Sequence, residues 1–169
     1  EYMRQIGSAV AHLHDLDIAH GDIKLENVFV ADTDGHTLKL GDFGLATCRT
    51  ATLSTRRVGS DEYAAPEVLG VEEFGPYEVK VADVWSLGVV AFALITNCLL
   101  PYGTHQEFRA FRLGKQERAT PLVIDKVANR MNLLYLQLLV ATLCFNVQTR
   151  WTARQVVEAA EAEARRSQK

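Results

Sequence analysis

Apolar residues recur along this chain at two different periods, and the changes between them divide it into elements. Tyr2, Met3, Ile6, Val10 and Leu13 fall at helical spacing, which predicts an amphipathic helix over residues 1–14. Val28-Phe29-Val30 and Thr37-Leu38-Lys39-Leu40 are short β-type runs with an Asp34-Gly35 turn between them, so together they predict a hairpin. Residues 45–64 are rich in Thr, Ser, Arg and Gly, show no sustained period, and read as one long loop. Ala65-Pro66-Glu67-Val68-Leu69 starts a short helix with Pro66 near its first turn, and residues 70–76 read as a further loop. From Val81 to Thr96 nearly every face is apolar, broken mainly by Asp83 and Ser86, which predicts a fully buried central helix. Asp83 falls in the first turn of that reading, where a carboxylate suits the helix dipole but still needs donors if buried. A short helix around Phe108 and Phe111 is predicted within 104–114, and a strongly apolar one over 133–143. Thr152 and Gln155 fit a capping box opening a last helix to about Arg165, with a frayed tail after it. The sum is an α+β fold, mainly α, with one small hairpin.

Composition narrows the class. A chain of 169 residues suffices for one domain, or one lobe of a larger one. With 48% hydrophobic and 23% charged residues it belongs among ordinary globular proteins, and a net charge of −3 gives no reason to expect a nucleic-acid partner. Cys48, Cys98 and Cys144 are far apart with no CxxC pair, which argues against a disulfide framework or zinc site and fits a cytoplasmic or nuclear setting. The most apolar run, 87–95, is about half the length a membrane-spanning helix needs, so no membrane partner is expected. The chain opens on Glu1 inside a helical pattern without a capping signal, so it is expected to come from a longer parent.

The polar residues carry the chemistry. His20-Gly21-Asp22-Ile23-Lys24-Leu25-Glu26-Asn27 places a carboxylate, an ammonium and a carboxamide on one short stretch, and Asp42-Phe43-Gly44 adds a second acid. The first stretch leads into the hairpin and the second leads out, so Asp22 and Asp42 are expected at the same end of it. Such a set suits a metal-bound phosphate held beside a nucleophile. His12 and His14 lie two apart on the first helix and face different ways, so packing and surface polarity account for them better than a shared metal.

These strings resemble the C-terminal lobe of a eukaryotic protein kinase. The catalytic-loop pattern H-R-D-x-K-x-x-N corresponds to residues 20–27, D-F-G to Asp42-Phe43-Gly44, A-P-E to Ala65-Pro66-Glu67, and D-x-W-S-x-G to Asp83-Val84-Trp85-Ser86-Leu87-Gly88. The resemblance covers 1–169 as a partial kinase domain: a catalytic loop over 20–27, an activation segment over 42–67 and a helical subdomain over 68–165.

The resemblance implies transfer of the ATP γ-phosphate to a protein Ser or Thr hydroxyl, with ATP and Mg²⁺ as cofactors and a protein substrate as partner. It implies Asp22 and Lys24 as catalytic residues, with Lys24, Asn27, Phe29 and Asp42 binding the nucleotide, Asn27 and Asp42 through the metal. Phe29 matches the floor under adenine, and Phe43 is expected to turn inward and help set the direction of Asp42. Asp83 resembles the acid that holds the catalytic loop through its backbone amides, and Glu67 the acid that pairs with an arginine, here Arg150. Lys24 and Ser60 favour the serine/threonine class over the tyrosine class.

Two departures stand out. Gly21 replaces the arginine that reads a phosphate on the activation loop, so Thr47, Thr50, Thr52, Ser54 and Thr55 are not expected to form an obligatory on-switch. Nothing in the chain matches the Gly-rich loop, the ATP-anchoring lysine or its helix glutamate, so the N-terminal lobe is expected in the parent and the isolated chain is expected to be inactive. The rival reading is a pseudokinase, decoy or scaffold fragment acting through protein–protein contacts, against which stand the intact Asp22, Lys24, Asn27 and Asp42.

Overall fold

The computed structural model describes residues 1–48, 53–97 and 131–166. The short helix expected within 104–114, Cys98, and the loop residues Thr50 and Thr52 lie outside the described residues. The first helix, α1, spans Tyr2–Asp15 and buries Ile6, Gly7, Val10 and Ala11; of the positions its spacing predicts, Ile6 and Val10 are buried, Met3 and Leu13 half-buried, and Tyr2 is exposed. Its partner is the last helix, α6, at Ala153–Arg166. Gly7 permits the close crossing, because a Cβ there would stand 3.3 Å from Val157 Cγ2.

Between them the described residues form three antiparallel two-stranded ladders. β1 (Ile18–Ala19) pairs with β4 (Thr47–Cys48), β2 (Val28–Val30) with β3 (Leu38–Leu40), and β5 (Leu53–Ser54) with β6 (Tyr77–Glu78). The hairpin of β2 and β3 is the one expected. The other two ladders draw parts of the 45–64 segment into structure, correcting its reading as an unbroken loop. Two-residue strands carry no detectable alternation, so only their tertiary pairing creates them.

Two short helices follow, α2 (Pro66–Leu69) and α3 (Val71–Phe74). The second replaces a predicted loop over 70–76. Four residues are too few for a periodic signal, and the turn is held by burial of Val71 beneath an acidic first turn of Glu72 and Glu73. The central helix α4 spans Val79–Thr96, and Trp85, Leu87, Val89, Val90, Ala91 and Phe92 on it are fully buried. It begins two residues earlier than the sequence suggests, so Asp83 stands in its second turn and the dipole is not what stabilises it. By length and composition α4 could cross a membrane, yet 67% of it is buried inside this fold, and its packing accounts for its apolarity. The helix α5 (Leu133–Thr142) meets α4 at Gly88, where a Cβ would stand 2.4 Å from Thr142 Oγ1.

The capping box forms as expected. Thr152 N–H donates to Gln155 Oε1 at 2.8 Å, and Gln155 N–H donates to Thr152 Oγ1 at 3.3 Å. Thr152→Ala is therefore expected to cost about 1 kcal/mol in urea unfolding, with the site geometry unchanged.

Candidate active site

The site is built outward from one buried carboxylate. Asp83, on α4, is 2% exposed and collects three donors. Its Oδ2 accepts the His20 backbone N–H at 2.8 Å and lies 2.9 Å from His14 Nε2, while Oδ1 accepts the Gly21 N–H at 2.8 Å. These satisfy the acid and suspend the 20–27 loop from the core helix. Lys80 fixes the adjacent turn, donating to His14 O at 2.8 Å and Asp17 Oδ1 at 2.7 Å. His14 is thus more than the packing residue its sequence suggested. Its signal was hidden because a histidine in an unaligned chain does not name a partner 69 residues away.

His20 links the two acid-bearing segments. Its buried ring accepts the Asp22 N–H at Nδ1 (3.3 Å), which leaves the proton on Nε2 to donate to Gly41 O at 3.0 Å. The loop that carries Asp22 and the residue before Asp42 are therefore joined through one imidazole.

Asp22 is the hub. Oδ1 accepts both the Ser60 N–H and the Ser60 hydroxyl at 2.9 Å, and Oδ2 accepts Lys24 Nζ at 2.7 Å. Lys24 Nζ also donates to Ser60 Oγ at 2.9 Å. Asn27 is buried on the 3₁₀ turn Leu25–Asn27, and its Nδ2 donates to Asp22 O at 2.8 Å and more weakly to Asp22 Oδ2 at 3.4 Å. Oδ1 is filled by two good bonds, whereas Oδ2 holds one short bond and one long one. Oδ2 is therefore the less fully engaged of the two oxygens.

Burial would raise the Asp22 pKa, but the Lys24 ammonium and the two Ser60 donors outweigh it and hold the carboxyl below its ordinary value. The hydrogen bond to Asp22 raises the Lys24 pKa, and the charges of Glu26 and Asp42 add to the effect. The signs set a window. Asp22 contributes above the ordinary carboxylate pKa and loses its contribution as pH falls through its lowered value. Lys24 contributes below the ordinary lysine pKa and loses it as pH rises through its raised value. The stability difference between the wild type and Lys24→Met should be flat from about pH 5 to pH 9 and shrink below about pH 4, as read by urea unfolding.

Asp42 sits just beyond β3 with a left-handed backbone, φ 60°, and its exposed carboxylate accepts the Gly44 N–H at Oδ1, 3.2 Å away. Phe43 does not turn into the core. It is 50% exposed, its ring centroid 5.2 Å from that of His20. A buried imidazole already fills the space beneath it, so the ring rests on His20. Phe29 is 53% exposed and lies across Gly41, where a Cβ would meet Phe29 Cε2 at 2.8 Å. It presents an apolar face beside Asp42.

As a metal site, Asn27 and Asp42 offer one carboxamide oxygen and one carboxylate, both hard donors. No group of three or more His, Cys, Asp or Glu side chains that could cage an ion occurs among the described residues. This set fits Mg²⁺, which takes few protein ligands and keeps water and phosphate oxygens in its other positions, better than it fits zinc.

The far side of the site is clamped. Arg150 reaches Glu67 bidentately at 2.5 and 3.0 Å, and its guanidinium also donates to Val81 O and Cys144 O. Ser86 Oγ donates to Tyr63 O at 2.8 Å, tying the segment before α2 to α4.

A buried acid on the central helix, a loop with Asp, Lys and Asn hung from it, and a second acid on the following turn thus form one connected cluster. The protein kinase domain family matches residues 1–160, and the chain belongs to that family. It is 39% identical over 122 residues to testis-specific serine/threonine-protein kinase 2 of Mus musculus, covering 68% of this chain and 32% of that protein. It is 43% identical over 97 residues to a probable myosin light chain kinase of Dictyostelium discoideum, covering 57% of this chain and 30% of that protein. It is 45% identical over 97 residues to MAP kinase-activated protein kinase mak-1 of Caenorhabditis elegans, covering 56% of this chain and 18% of that protein. The chain thus spans at most about a third of the length of these relatives.

Proposed function

We propose that these residues form the C-terminal lobe of a protein serine/threonine kinase that transfers the ATP γ-phosphate to a Ser or Thr hydroxyl of a protein substrate. The lobe is completed by an N-terminal lobe in the same protein, and the whole acts in the cytoplasm or nucleus. The observation that carries the reading is the cluster in which Lys24 and Ser60 converge on Asp22 with Asn27 behind it.

In this reading Asp22 orients the acceptor hydroxyl at Oδ2 and takes its proton late, since a carboxyl with a lowered pKa is a weak base. Lys24 places a compact positive charge beside the transferred phosphoryl group, already anchored by Asp22 and Ser60. Asn27 and Asp42 hold Mg²⁺, which when bound neutralises phosphate charge. Phe29 supplies an apolar surface for the base. Ser60 bonds both Asp22 and Lys24, so the segment that would receive a peptide is aligned with the catalytic pair before substrate arrives.

The test is Mg-ATP-dependent phosphorylation of a Ser/Thr peptide by the intact protein, with the 169-residue chain alone as the comparison. Transfer by the intact protein and negligible transfer by the chain are expected. No transfer by the intact protein would favour the scaffold reading. Phosphatase treatment of the intact protein should leave its rate within about twofold, because Gly21 offers no guanidinium to a loop phosphate.

A further inference from the structure

We propose that Gly21 is a positioning residue for this reaction, a crossing without a side chain at which the segments after Asp42 and before Ser60 both close on Asp22. The proposal rests on the kinase reading of the same site, and goes beyond the loss of a phosphate reader to what the glycine itself does.

Every part of this residue is engaged. Its N–H is fixed to Asp83 Oδ1 at 2.8 Å. Its backbone is left-handed, φ +78°, and a Cβ built there would stand 2.8 Å from the Leu45 carbonyl oxygen. On the other side Gly59, φ +89°, comes so close that its own Cβ would stand 2.6 Å from Gly21 O and 3.6 Å from Asp22 Oδ1. The nearest obstruction in both cases is backbone, which cannot rotate aside as a flexible side chain could.

The consequences reach the reacting groups. Gly59 precedes Ser60, whose N–H and hydroxyl both bond Asp22 Oδ1, so the glycine–glycine approach sets where those donors meet the carboxylate. Leu45 follows Asp42 by three residues and precedes β4, whose Thr47 pairs with Ala19 of β1. Any side chain at 21 requires the Leu45 carbonyl to shift by a few tenths of an ångström, and Leu45 lies between Asp42 and the β1–β4 ladder. Where the family resemblance places an arginine–phosphate link, this chain brings backbone directly against backbone.

A control for backbone strain lies within the same chain. Gly35 also has positive φ, +72°, but a Cβ there meets nothing within 4 Å. Gly35→Ala and Gly21→Ala carry a similar conformational penalty, and only the second closes a crossing. Hydrogen-exchange mass spectrometry on the intact protein should show exchange across 42–48 and 53–62 accelerated about tenfold or more in Gly21→Ala and Gly21→Arg. Gly35→Ala should leave both segments as in the wild type. Gly59→Ala enters the crossing from the other side and should reproduce the Gly21→Ala pattern, which also covers the case in which Gly21→Arg does not fold.

In the intact protein, Gly21→Ala should lower kcat about tenfold or more with peptide KM little changed, because alignment rather than ground-state binding is lost. Wild-type exchange in both Gly21 variants, or equal loosening by Gly35→Ala, would overturn the proposal, as would an unchanged kcat in Gly21→Ala. Exchange that changes as expected in a protein with no phosphotransfer at all would instead remove the kinase reading while leaving the crossing intact.

Discussion

If the proposed reaction is correct, Asp22→Asn is expected to lower phosphoryl transfer by the intact protein about 10²- to 10⁴-fold while leaving the fold in place. Asparagine keeps the shape of the side chain and can still accept the Ser60 N–H, so the 57–62 segment stays aligned. What it loses is specific. An amide cannot take the hydroxyl proton, and its NH₂ would face the Lys24 ammonium, donor against donor, where the carboxylate now accepts at 2.7 Å. Because Asp22 and Lys24 act through one another, their effects should not add. Asp22→Asn with Lys24→Met should cost little more than Asp22→Asn alone. The measurement is kcat/KM with Mg-ATP and a Ser/Thr peptide, and a variant within about threefold of the wild type would remove Asp22 from its assigned role.

Glu67→Ala destabilises the chain by about 3–5 kcal/mol, an effect on stability rather than on chemistry. The Arg150 side chain is 0% exposed, and its guanidinium carbon lies 5.1 Å from the Trp85 ring centroid, deep against the central helix. Removing Glu67 leaves the Val81 and Cys144 carbonyls as partners but strips the charge of its counter-ion. The cost is that of a stranded buried cation, which exceeds the net worth of the pair itself. Replacing both, Glu67→Leu with Arg150→Met, should therefore recover much of the loss. Thermal unfolding should show a drop on the order of 10 °C for Glu67→Ala, and a change below about 1 kcal/mol would contradict a buried, uncompensated charge.

Elements with a long period were legible in the sequence. The existence of α1 and α6, the apolarity of α4 and α5, the β2–β3 hairpin and the Thr152 capping box follow from spacing and local chemistry, which act within a few residues. What escaped was whatever depends on a distant partner. The strands β1, β4, β5 and β6 are two residues each and exist only as pairs across the fold. The helix α3 is a single turn held by the burial of Val71. Phe43 was expected inward, but the space belongs to the His20 ring, and nothing in a linear string reports that a buried histidine has claimed it. The motif residues Asp22, Lys24, Asn27 and Asp42 were found by resemblance. His14, Gly59 and the bridging ring of His20 came only from coordinates, because their partners lie far along the chain, 69 residues away for His14 and 21 for His20.

The suspension of the 20–27 loop from Asp83 has a consequence for biosynthesis. The two loop amides that bond this carboxylate are separated from it by 63 and 62 residues. Asp22 leaves the ribosome well before the helix that must hold its loop, and Arg150 follows Glu67 by 83 residues. At about 5–20 residues per second, the loop waits several seconds without its anchor. A nascent chain that has exposed the entire catalytic-loop motif still has no organised site, and premature termination before α4 yields a product carrying the motif without the means to order it.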